Sequence, residues 1–268
     1  MKQVFELAAA STIGRDHRLI GRNNQDAWYH ISTDRVTVIV VADGCGEGLY
    51  SEVGARLGSR LMVEALFEAS EDGGASPELV LEIARQNVVK KIEQLVGFFV
   101  GPRGQIINEH FLFTLVGCVL TETMSWFFSI GDGYLAVNGT ELPLGSFEGN
   151  MPPYLSYALV TTALAPSLLK GTIHRVLATT DLDSFVLGTD GLQDYVKRKS
   201  DPIPGKTELV GSLDQLAKVD RYFLNPDALR RRLSLISRDT FREGRPVPGL
   251  LGDDTTLVVG RRKKVRHD

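Results

Sequence analysis

Short apolar, β-branched runs recur along the chain and predict β-strands. They cover residues 37–42, 111–120, 126–130, 134–137, 154–161, 173–178, 184–187 and 256–259. Several are separated only by a few turn-forming residues, such as 121–124, which is typical of antiparallel strands that follow one another.

Three other segments carry apolar residues at helical spacing. They begin at Ser51, at Ser76-Pro77 and at Asn225-Pro226. Ser51 and Ser76 are interpreted as N-caps, and Ser76 is followed by proline at the first helical position. The apolar stripes are Val53, Leu57, Leu61 and Ala65; Leu79, Ile83, Val88, Ile92, Leu95 and Val96; and Leu229, Leu233 and Ile236.

The order of these elements favours an α+β fold. Strands come first, then two long helices, a block of strands, a late helix and a final strand. Because strands and helices are segregated, two antiparallel sheets covered by helix layers are favoured over a doubly wound parallel sheet. The polar segment 197–222 is interpreted as a surface excursion, and the arginines 230–232 are expected to face mostly outward. We expect one domain over residues 1–262 and a basic tail over 263–268.

Composition and charge exclude several classes of function. The 268 residues carry a net charge of -3, which argues against general nucleic-acid binding. No apolar run approaches the roughly 18 residues of a membrane span. Cys45 and Cys118 match no paired-cysteine spacing, so we expect a cytoplasmic protein. The five histidines form no HxxxH pair, which argues against a zinc site.

Five strand-like runs begin or end in aspartate, and these residues predict a metal site. They are Asp26, Asp43, Asp132, Asp190 and the pair Asp253-Asp254. One Asp-Gly at a strand end is ordinarily a turn. If the strands of a sandwich end at one rim, however, their carboxylates converge and must be protonated or neutralised by a cation. Oxygen ligands suit Mg²⁺ or Mn²⁺, and paired ions of this kind typically serve phosphoryl hydrolysis.

The motifs around these aspartates resemble those of the metal-dependent serine/threonine protein phosphatases, the protein phosphatase 2C family. The sequences RNNQDAW, VVADGCGEGLYSEVGA, SIGDGYLAV, LGTDGLQD and GDDTTLVV occur in the family's order, and the NQDA form is similar to a bacterial branch. The resemblance implies a four-layer α-β-β-α sandwich of two antiparallel sheets flanked by helices. It also implies two Mn²⁺ or Mg²⁺ ions and a weaker third ion, which together activate a water for hydrolysis of phosphoserine and phosphothreonine.

The resemblance also implies partners and metal ligands. The expected partners are a phosphorylated protein substrate and a cognate bacterial kinase, with neither nucleic acid nor membrane. At the matching positions Asp43 bridges the two metals and Gly44 contributes its carbonyl. Asp190 and Asp253 are further ligands, and Asp132 serves the weaker ion.

Other matching positions support the site or depart from the family pattern. Asp26 is implied to support the metal shell, and Asp254 stands where many members carry asparagine. Gln25 replaces a glutamate and brings no negative charge. Cys45 replaces the proposed general-acid histidine of animal members, and we interpret it as a packed side chain rather than a proton donor or an oxidation-sensitive thiol. The phosphate-binding arginine is expected one residue earlier than Arg22, which we nevertheless favour for that role. The other cationic side chains nearby are Arg15, His17 and Arg18.

Two alternatives to an active protein phosphatase remain open. Gln25 and Cys45 favour a pseudophosphatase, a binding or regulatory module without turnover, although the retained aspartates count against it because they would repel one another with no metal to hold. A two-metal hydrolase of a small-molecule phosphoester is the other alternative. By analogy with the family, segment 197–222 is expected to form a variable flap beside the site.

Overall fold

The fold consists of twelve strands and eight α-helices within the part of the chain described by the computed structural model, residues 1–71, 74–145, 147, 151–160 and 170–264. The strands are β1 Phe5–Thr12, β2 Asp26–Ser32, β3 Thr37–Gly44, β4 Phe113–Leu120, β5 Met124–Ile130, β6 Tyr134–Val137, β7 Thr140–Glu141, β8 Thr172–Ala178, β9 Ser184–Gly188, β10 Thr240–Arg242, β11 Arg245–Val247 and β12 Thr255–Arg262. The helices are α1 Arg15–Leu19, α2 Ser51–Ser70, α3 Pro77–Val96, α4 Arg103–His110, α5 Leu192–Lys197, α6 Asp214–Lys218, α7 Arg221–Leu224 and α8 Pro226–Ser237.

Two five-stranded antiparallel sheets form the centre of the fold. The first sheet has the order β1-β12-β9-β6-β7 and the second the order β2-β3-β4-β5-β8, while β10 and β11 form a separate hairpin. Helices α2 and α3 pack on the outer face of the second sheet, and α5 to α8 pack on the outer face of the first. The predicted α-β-β-α sandwich is therefore confirmed.

Strand β3 is apolar on both faces because it lies between a helix layer and the other sheet. Val38 and Val40 pack toward the helices, whereas Ile39 and Val41 pack into the core between the sheets. Since side chains alternate along a strand, Asp43 shares the direction of Ile39 and Val41. The strand therefore places this carboxylate at the rim of the inter-sheet space.

Of the two expected helix caps, that of Ser76 is confirmed and that of Ser51 is wrong, while Asn225 caps the third helix. The Ser76 hydroxyl accepts a hydrogen bond from the amide of Leu79 at 3.4 Å, and the side chain of Asn225 accepts one from the amide of Asp227 at 3.0 Å. Ser51 instead lies inside the first turn of α2, where it is fully buried and makes no cap. Its place is fixed by tertiary packing rather than by capping preference.

The predicted stripe of α3 is right in the second half of the helix and wrong in the first. Val88, Ile92 and Val96 are buried as predicted, but Leu79 and Ile83 are 52% and 40% exposed. In the first turns Val80 and Ala84 are buried instead. The small Ala84 gives no hydrophobic signal of its own, so the register of the first turns was not apparent from the sequence.

One expectation about a surface segment is wrong, and another holds for two of its three residues. Segment 197–222 contains α6 and α7, and it contributes to the core on the outer face of the first sheet through Ile203, Val210, Leu213, Leu216 and Tyr222. Of the arginines expected to face mostly outward, Arg230 and Arg231 do so, whereas Arg232 is only 9% exposed. Its guanidinium pairs with Glu208 at 2.6 Å and donates to the carbonyls of residues 209 and 210. This buried arginine therefore attaches the segment to α8.

Two elements near the sheets differ from the predicted strands. Residues 154–160 do not form a strand: a 3₁₀ helix runs from Leu155 to Leu159, after Pro152 and Pro153 have removed two backbone donors. The final predicted residue, 161, lies outside the described residues.

Strand β1 was not predicted because its sequence FELAAAST is rich in alanine, a weak strand former, yet it pairs with β12 along its whole length.

The inter-sheet core should dominate stability. Phe127 is fully buried and its ring lies 5.6 Å from that of Phe185, edge to face. We expect Phe127→Ala to lower the free energy of unfolding by about 3–5 kcal/mol, since it leaves a cavity between the sheets. Phe241→Ala, at a position that is 73% exposed, is the matched control and should change it by less than about 0.5 kcal/mol. Urea titrations give both values; equal losses for the two variants would contradict this packing.

Candidate metal centre

Aspartates from both sheets meet at one rim of the sandwich. Asp26 and Asp43 face each other across the β2–β3 pair. Asp190 follows β9, and Asp253 precedes β12, which is hydrogen-bonded to β9. Asp132 lies in the short connection where the chain passes from β5 in one sheet to β6 in the other. The predicted convergence of strand-end aspartates is therefore present in the structure.

Glycines are required at this rim by close backbone approaches and by positive φ angles. A Cβ atom on Gly44 would lie 2.8 Å from the carbonyl oxygens of both Gln25 and Ser51. Asp132 is flanked by Gly131 and Gly133, with φ angles of 89° and 137°, a region that side chains disfavour. The glycines beside the aspartates thus allow the backbone to approach closely and to turn at the points where the carboxylates converge.

A cleft of about 530 Å³ opens over these carboxylates. Its floor includes Asp43, Asp132, Asp190 and Asp253. One wall comes from α4 and the loop after β3, and another from residues 151–157. The described residues of segment 197–222 do not line it, so the wall beside the site is formed by a different segment from the expected flap.

The carboxylates resist ionisation in the absence of a cation. Desolvation, followed by repulsion from Asp26 and Asp190, raises the pKa of Asp43 well above its ordinary value. Burial and the charge of Asp254 raise the pKa of Asp26 in the same direction. Desolvation and Asp190 raise the pKa of Asp132 to about 6 and also raise that of Asp253. A positive charge among these groups would remove the repulsion.

Three buried oxygen atoms at the rim have no hydrogen-bond partner among the described residues. They are Oε1 of Gln25, Oδ1 of Asp26 and Oδ1 of Asp190. All three are hydrogen-bond acceptors or potential ligands, so a cation and the water molecules it carries would satisfy them. The donor set, which consists of oxygen atoms and several carboxylates, fits a divalent metal ion.

Asp26 and Asp254 have side-chain partners that suit a supporting position. One oxygen of Asp26 accepts a hydrogen bond from the hydroxyl of Thr189 at 2.8 Å. The two oxygens of Asp254 accept hydrogen bonds from the amides of Gly14 at 2.7 Å and Gln25 at 2.6 Å. Asp254 thereby joins the loop before β2 to the start of β12, and its neighbour Asp253 is the one that lines the cleft.

The cationic side chains before β2 point in different directions. Arg22 donates to the carbonyl of Gly46, in the loop that forms the cleft rim. Arg18 donates to the hydroxyl of Ser237 at the end of α8, and the guanidinium of Arg15 contacts Asp16 at 2.9 Å. Of the three arginines, only Arg22 contacts the rim of the cleft.

Several cleft residues were not recognised as such from the sequence. His17 lines the cleft beside Asp253, but the sequence marked it only as a nearby cation. Tyr154 also lines the cleft, although its segment was predicted as a strand. Burial and a hydrogen bond with Cys45 raise the pKa of Tyr154. Cys45 itself is half-buried, lines the cleft and packs against the core that α2 and α3 cover.

Clustered carboxylates at the junction of two antiparallel sheets define the class as metal-dependent hydrolases with an α-β-β-α sandwich. The chain belongs to the Protein phosphatase 2C family, whose sequence model matches residues 13–226. The match ends before Asp253, whose position in the cleft comes from the structure. No curated protein sequence gives a significant match.

Solved structures of phosphatases share the fold at low sequence identity. The catalytic domain of serine threonine protein phosphatase PstP in complex with 2 manganese ions is 18% identical, with a TM-score of 0.53 over 97% of this chain and 99% of that chain. The phosphatase PstP/Ppp of Mycobacterium tuberculosis is 20% identical, with a TM-score of 0.53 over 97% and 100%. Stp1 of Staphylococcus aureus is 15% identical, with a TM-score of 0.56 over 97% and 96%.

Family membership gives the activity in general terms. The protein is a metal-dependent serine/threonine protein phosphatase, a phosphoric monoester hydrolase that acts on phosphorylated proteins. This confirms the family and the enzyme class predicted from the sequence. No helix among the described residues is long and apolar enough to span a membrane.

The raised pKa values predict how the stability of the metal-free protein depends on pH. Asp132 has an ordinary pKa of about 3.9 when unfolded and about 6 when folded. Its protonated form therefore favours the folded state fully below about pH 4, and this contribution is lost as pH rises through about 6. We expect the free energy of unfolding in EDTA to fall over this window, by at most about 1.4 kcal/mol per pH unit for each proton.

In EDTA, Asp132→Asn should make the free energy of unfolding fall less steeply as pH rises. Asp183→Asn, at an exposed position, should leave that slope unchanged. Urea titrations at several pH values in EDTA measure the effect. A decline that is the same in the wild type and in Asp132→Asn would show that Asp132 does not carry the raised pKa.

Proposed function

We propose that the cleft hydrolyses phosphoserine and phosphothreonine with two divalent ions, Mn²⁺ or Mg²⁺, held by Asp43, Gly44, Asp190 and Asp253. A third, weaker ion would be held by Asp132. The observation that carries this proposal is the convergence of carboxylates from both sheets around buried oxygen atoms that lack partners. When bound, the ions would activate a water and neutralise the phosphoryl oxygens.

The proposed roles follow from the position of each side chain. Asp43 would hold both ions, because it is the carboxylate at the end of β3 and interacts with both Asp190 and Asp253. Asp26 lies behind it and supports its orientation across the strand pair. Gln25 points an unpaired carbonyl oxygen into the same cleft. That oxygen can accept a hydrogen bond from an ordered water.

Arg22 is the proposed phosphate-binding residue. Its half-buried side chain contacts the rim of the cleft through Gly46, on the side of the cleft that the loop after Asp43 forms. A planar guanidinium with several donors suits the oxygen atoms of a phosphate. Asp254, whose oxygens already accept two amide hydrogen bonds, serves as a structural residue and is not among the proposed ligands.

The proposed biological setting extends the family resemblance. A bacterial kinase that phosphorylates the same protein would act in opposition, in cytoplasmic signalling. An inactive binding module is disfavoured because four carboxylates converge at a cleft where they repel one another without an ion. Membership of the Protein phosphatase 2C family favours a protein substrate over a small phosphoester.

Asp43→Asn tests the proposed bridging ligand. We expect kcat toward a phosphothreonine peptide to fall by at least about 10²–10³-fold, since one charge that positions the metals is lost. Asp183→Asn, at an exposed position, is the control and should retain full activity. The assay uses p-nitrophenyl phosphate and the phosphopeptide, each with Mn²⁺, with Mg²⁺ and with EDTA. Removing a repelled carboxylate should leave the metal-free variant at least as stable as the wild type, so unfolding would not explain the loss.

The same assay distinguishes the alternatives. No turnover of either substrate with either metal, and identical behaviour of Asp43→Asn, would overturn the enzyme hypothesis in favour of a pseudophosphatase. Turnover of p-nitrophenyl phosphate but of no phosphopeptide or phosphoprotein would favour a small-molecule substrate. Turnover of the phosphopeptide only in the presence of a metal supports the proposal.

Cys45→Ser and Cys45→Ala test whether the thiol is a proton donor. Cys45 is half-buried and packs against the core beneath α2, so we expect kcat to change by less than about tenfold in both variants. Loss of a general acid would instead cost about 10²–10⁴-fold. A loss of that size, with unchanged Mn²⁺ affinity and unchanged thermal stability, would assign the proton-donor role to Cys45 and reject the packing interpretation.

A further inference from the structure

His17 lies on the wall of the cleft in an arrangement typical of a metal-binding histidine. It is in the short helix α1, its side chain is 14% exposed, and its Nδ1 atom lies 2.9 Å from an oxygen of Asp254. The ring lines the cleft together with Asp253. One ligand atom from each of His17, Asp253 and Asp254 lies within 4.8 Å of the others.

We propose that His17 is a nitrogen ligand for the metal ion held beside Asp253, and that this ligand makes the cleft select a transition-metal ion, such as Mn²⁺ or Fe²⁺, over Mg²⁺. The inference rests on the proposed metal site and adds to it a ligand and a metal preference. The aspartates alone would form a site of oxygen ligands, which suits Mg²⁺ equally well.

Asp254 places a fixed negative charge beside the imidazole. Its carboxylate is 2% exposed and is held by the amides of Gly14 and Gln25. The Nδ1 atom of His17 lies 2.9 Å from this carboxylate, but it is buried and has no hydrogen-bond partner among the described residues. A buried ring nitrogen without a partner is costly, and a cation held beside Asp253 would satisfy it because a neutral imidazole is a good metal ligand.

Gln25 supplies an independent indication of a ligand at this place. The residue is 2% exposed, it lines the same cleft, and its Oε1 atom has no hydrogen-bond partner. Its amide nitrogen donates to the carbonyl of Gly48 at 3.1 Å, which fixes the carboxamide so that the oxygen remains free. A buried acceptor without a donor is costly, and a metal-bound water would satisfy it.

The chemistry of these donors explains the expected preference. A neutral imidazole from His17 and a neutral carboxamide from Gln25 contribute no negative charge. Mg²⁺ binds chiefly through charged oxygen ligands and gives up its bound water molecules reluctantly. Transition-metal ions gain more affinity from an imidazole nitrogen. The site should therefore lose more affinity for Mg²⁺ than for Mn²⁺ relative to a site of carboxylates alone.

The other described histidines lie elsewhere and provide controls. His30 stacks on Trp28 at a ring separation of 5.5 Å, and the Nε2 atom of His174 lies 2.9 Å from the hydroxyl of Ser129. His110 stacks on Tyr50. Of these, His30 is the most exposed, so His30→Ala is the matched variant.

Electron-nuclear double resonance of Mn²⁺ bound to protein labelled with ¹⁵N-histidine tests the ligand directly. The wild type and His30→Ala should show the hyperfine coupling of a directly bound ¹⁵N nucleus, and His17→Ala should not. Wild-type protein that binds Mn²⁺ without this coupling would overturn the proposal while leaving the proposed phosphatase function intact. A ¹⁵N coupling that persists in His17→Ala would likewise overturn the ligand proposal and leave the proposed phosphatase function intact.

Equilibrium dialysis against Mn²⁺ and Mg²⁺ tests the preference. We expect His17→Ala to weaken Mn²⁺ binding by at least about tenfold and Mg²⁺ binding by clearly less, with partial recovery of Mn²⁺ binding in added imidazole. Helix α1 buries no residue, and alanine favours helix, so the variant should fold; thermal melts in EDTA check this. Equal losses for both ions, without recovery, would indicate that His17 only orients Asp254 and would overturn the proposal.

Discussion

Repulsion among carboxylates at the rim between the two sheets is the constraint on which the site depends. Asp43 interacts with Asp26 from the neighbouring strand and with Asp190 from the opposite sheet. The strands that carry these groups are held in register by backbone pairing and by the core between the sheets. The side chains therefore cannot separate without disrupting the sandwich, and a cation is the simplest means of offsetting their charges.

The rest of the site is arranged around this constraint. Glycines allow the backbone to approach at Gly44 and to turn on both sides of Asp132. Asp254 connects the loop before β2 to β12 through buried hydrogen bonds. The same carboxylate contacts His17. A residue with no proposed ligand role thus determines where the groups facing the cleft are placed.

The sequence predicted the sandwich and the convergence of aspartates because both depend on local patterns. Apolar runs that begin or end in aspartate identify strand ends that can share one rim, and five such positions are informative together. The packing of α3 was not predictable in the same way, since burial of Ala84 depends on the neighbouring helix rather than on hydrophobicity. Arg232 was assigned to the surface because nothing local indicates that Glu208 will accept its guanidinium.

The residues that form the walls of the cleft were harder to predict from the sequence than the carboxylates on its floor. Residues 151–157 form a wall rather than a strand, although Tyr154, Leu155 and Tyr157 are residue types common in strands, since Pro152 and Pro153 redirect the chain. His17 is separated from Asp253 by most of the sequence, so only the tertiary structure reveals that they are neighbours. The fold and the convergence of the aspartates therefore follow from the sequence, whereas the wall and the position of His17 require the structure.

The most direct test of the central claim is the stability of the protein as a function of Mn²⁺ concentration at neutral pH. If a cation relieves the repulsion among the carboxylates, the free energy of unfolding should rise with the logarithm of the ion concentration above the dissociation constant, by about 2.7 kcal/mol at a hundredfold excess over it. A free energy of unfolding that stays constant from EDTA to millimolar Mn²⁺ would contradict the account.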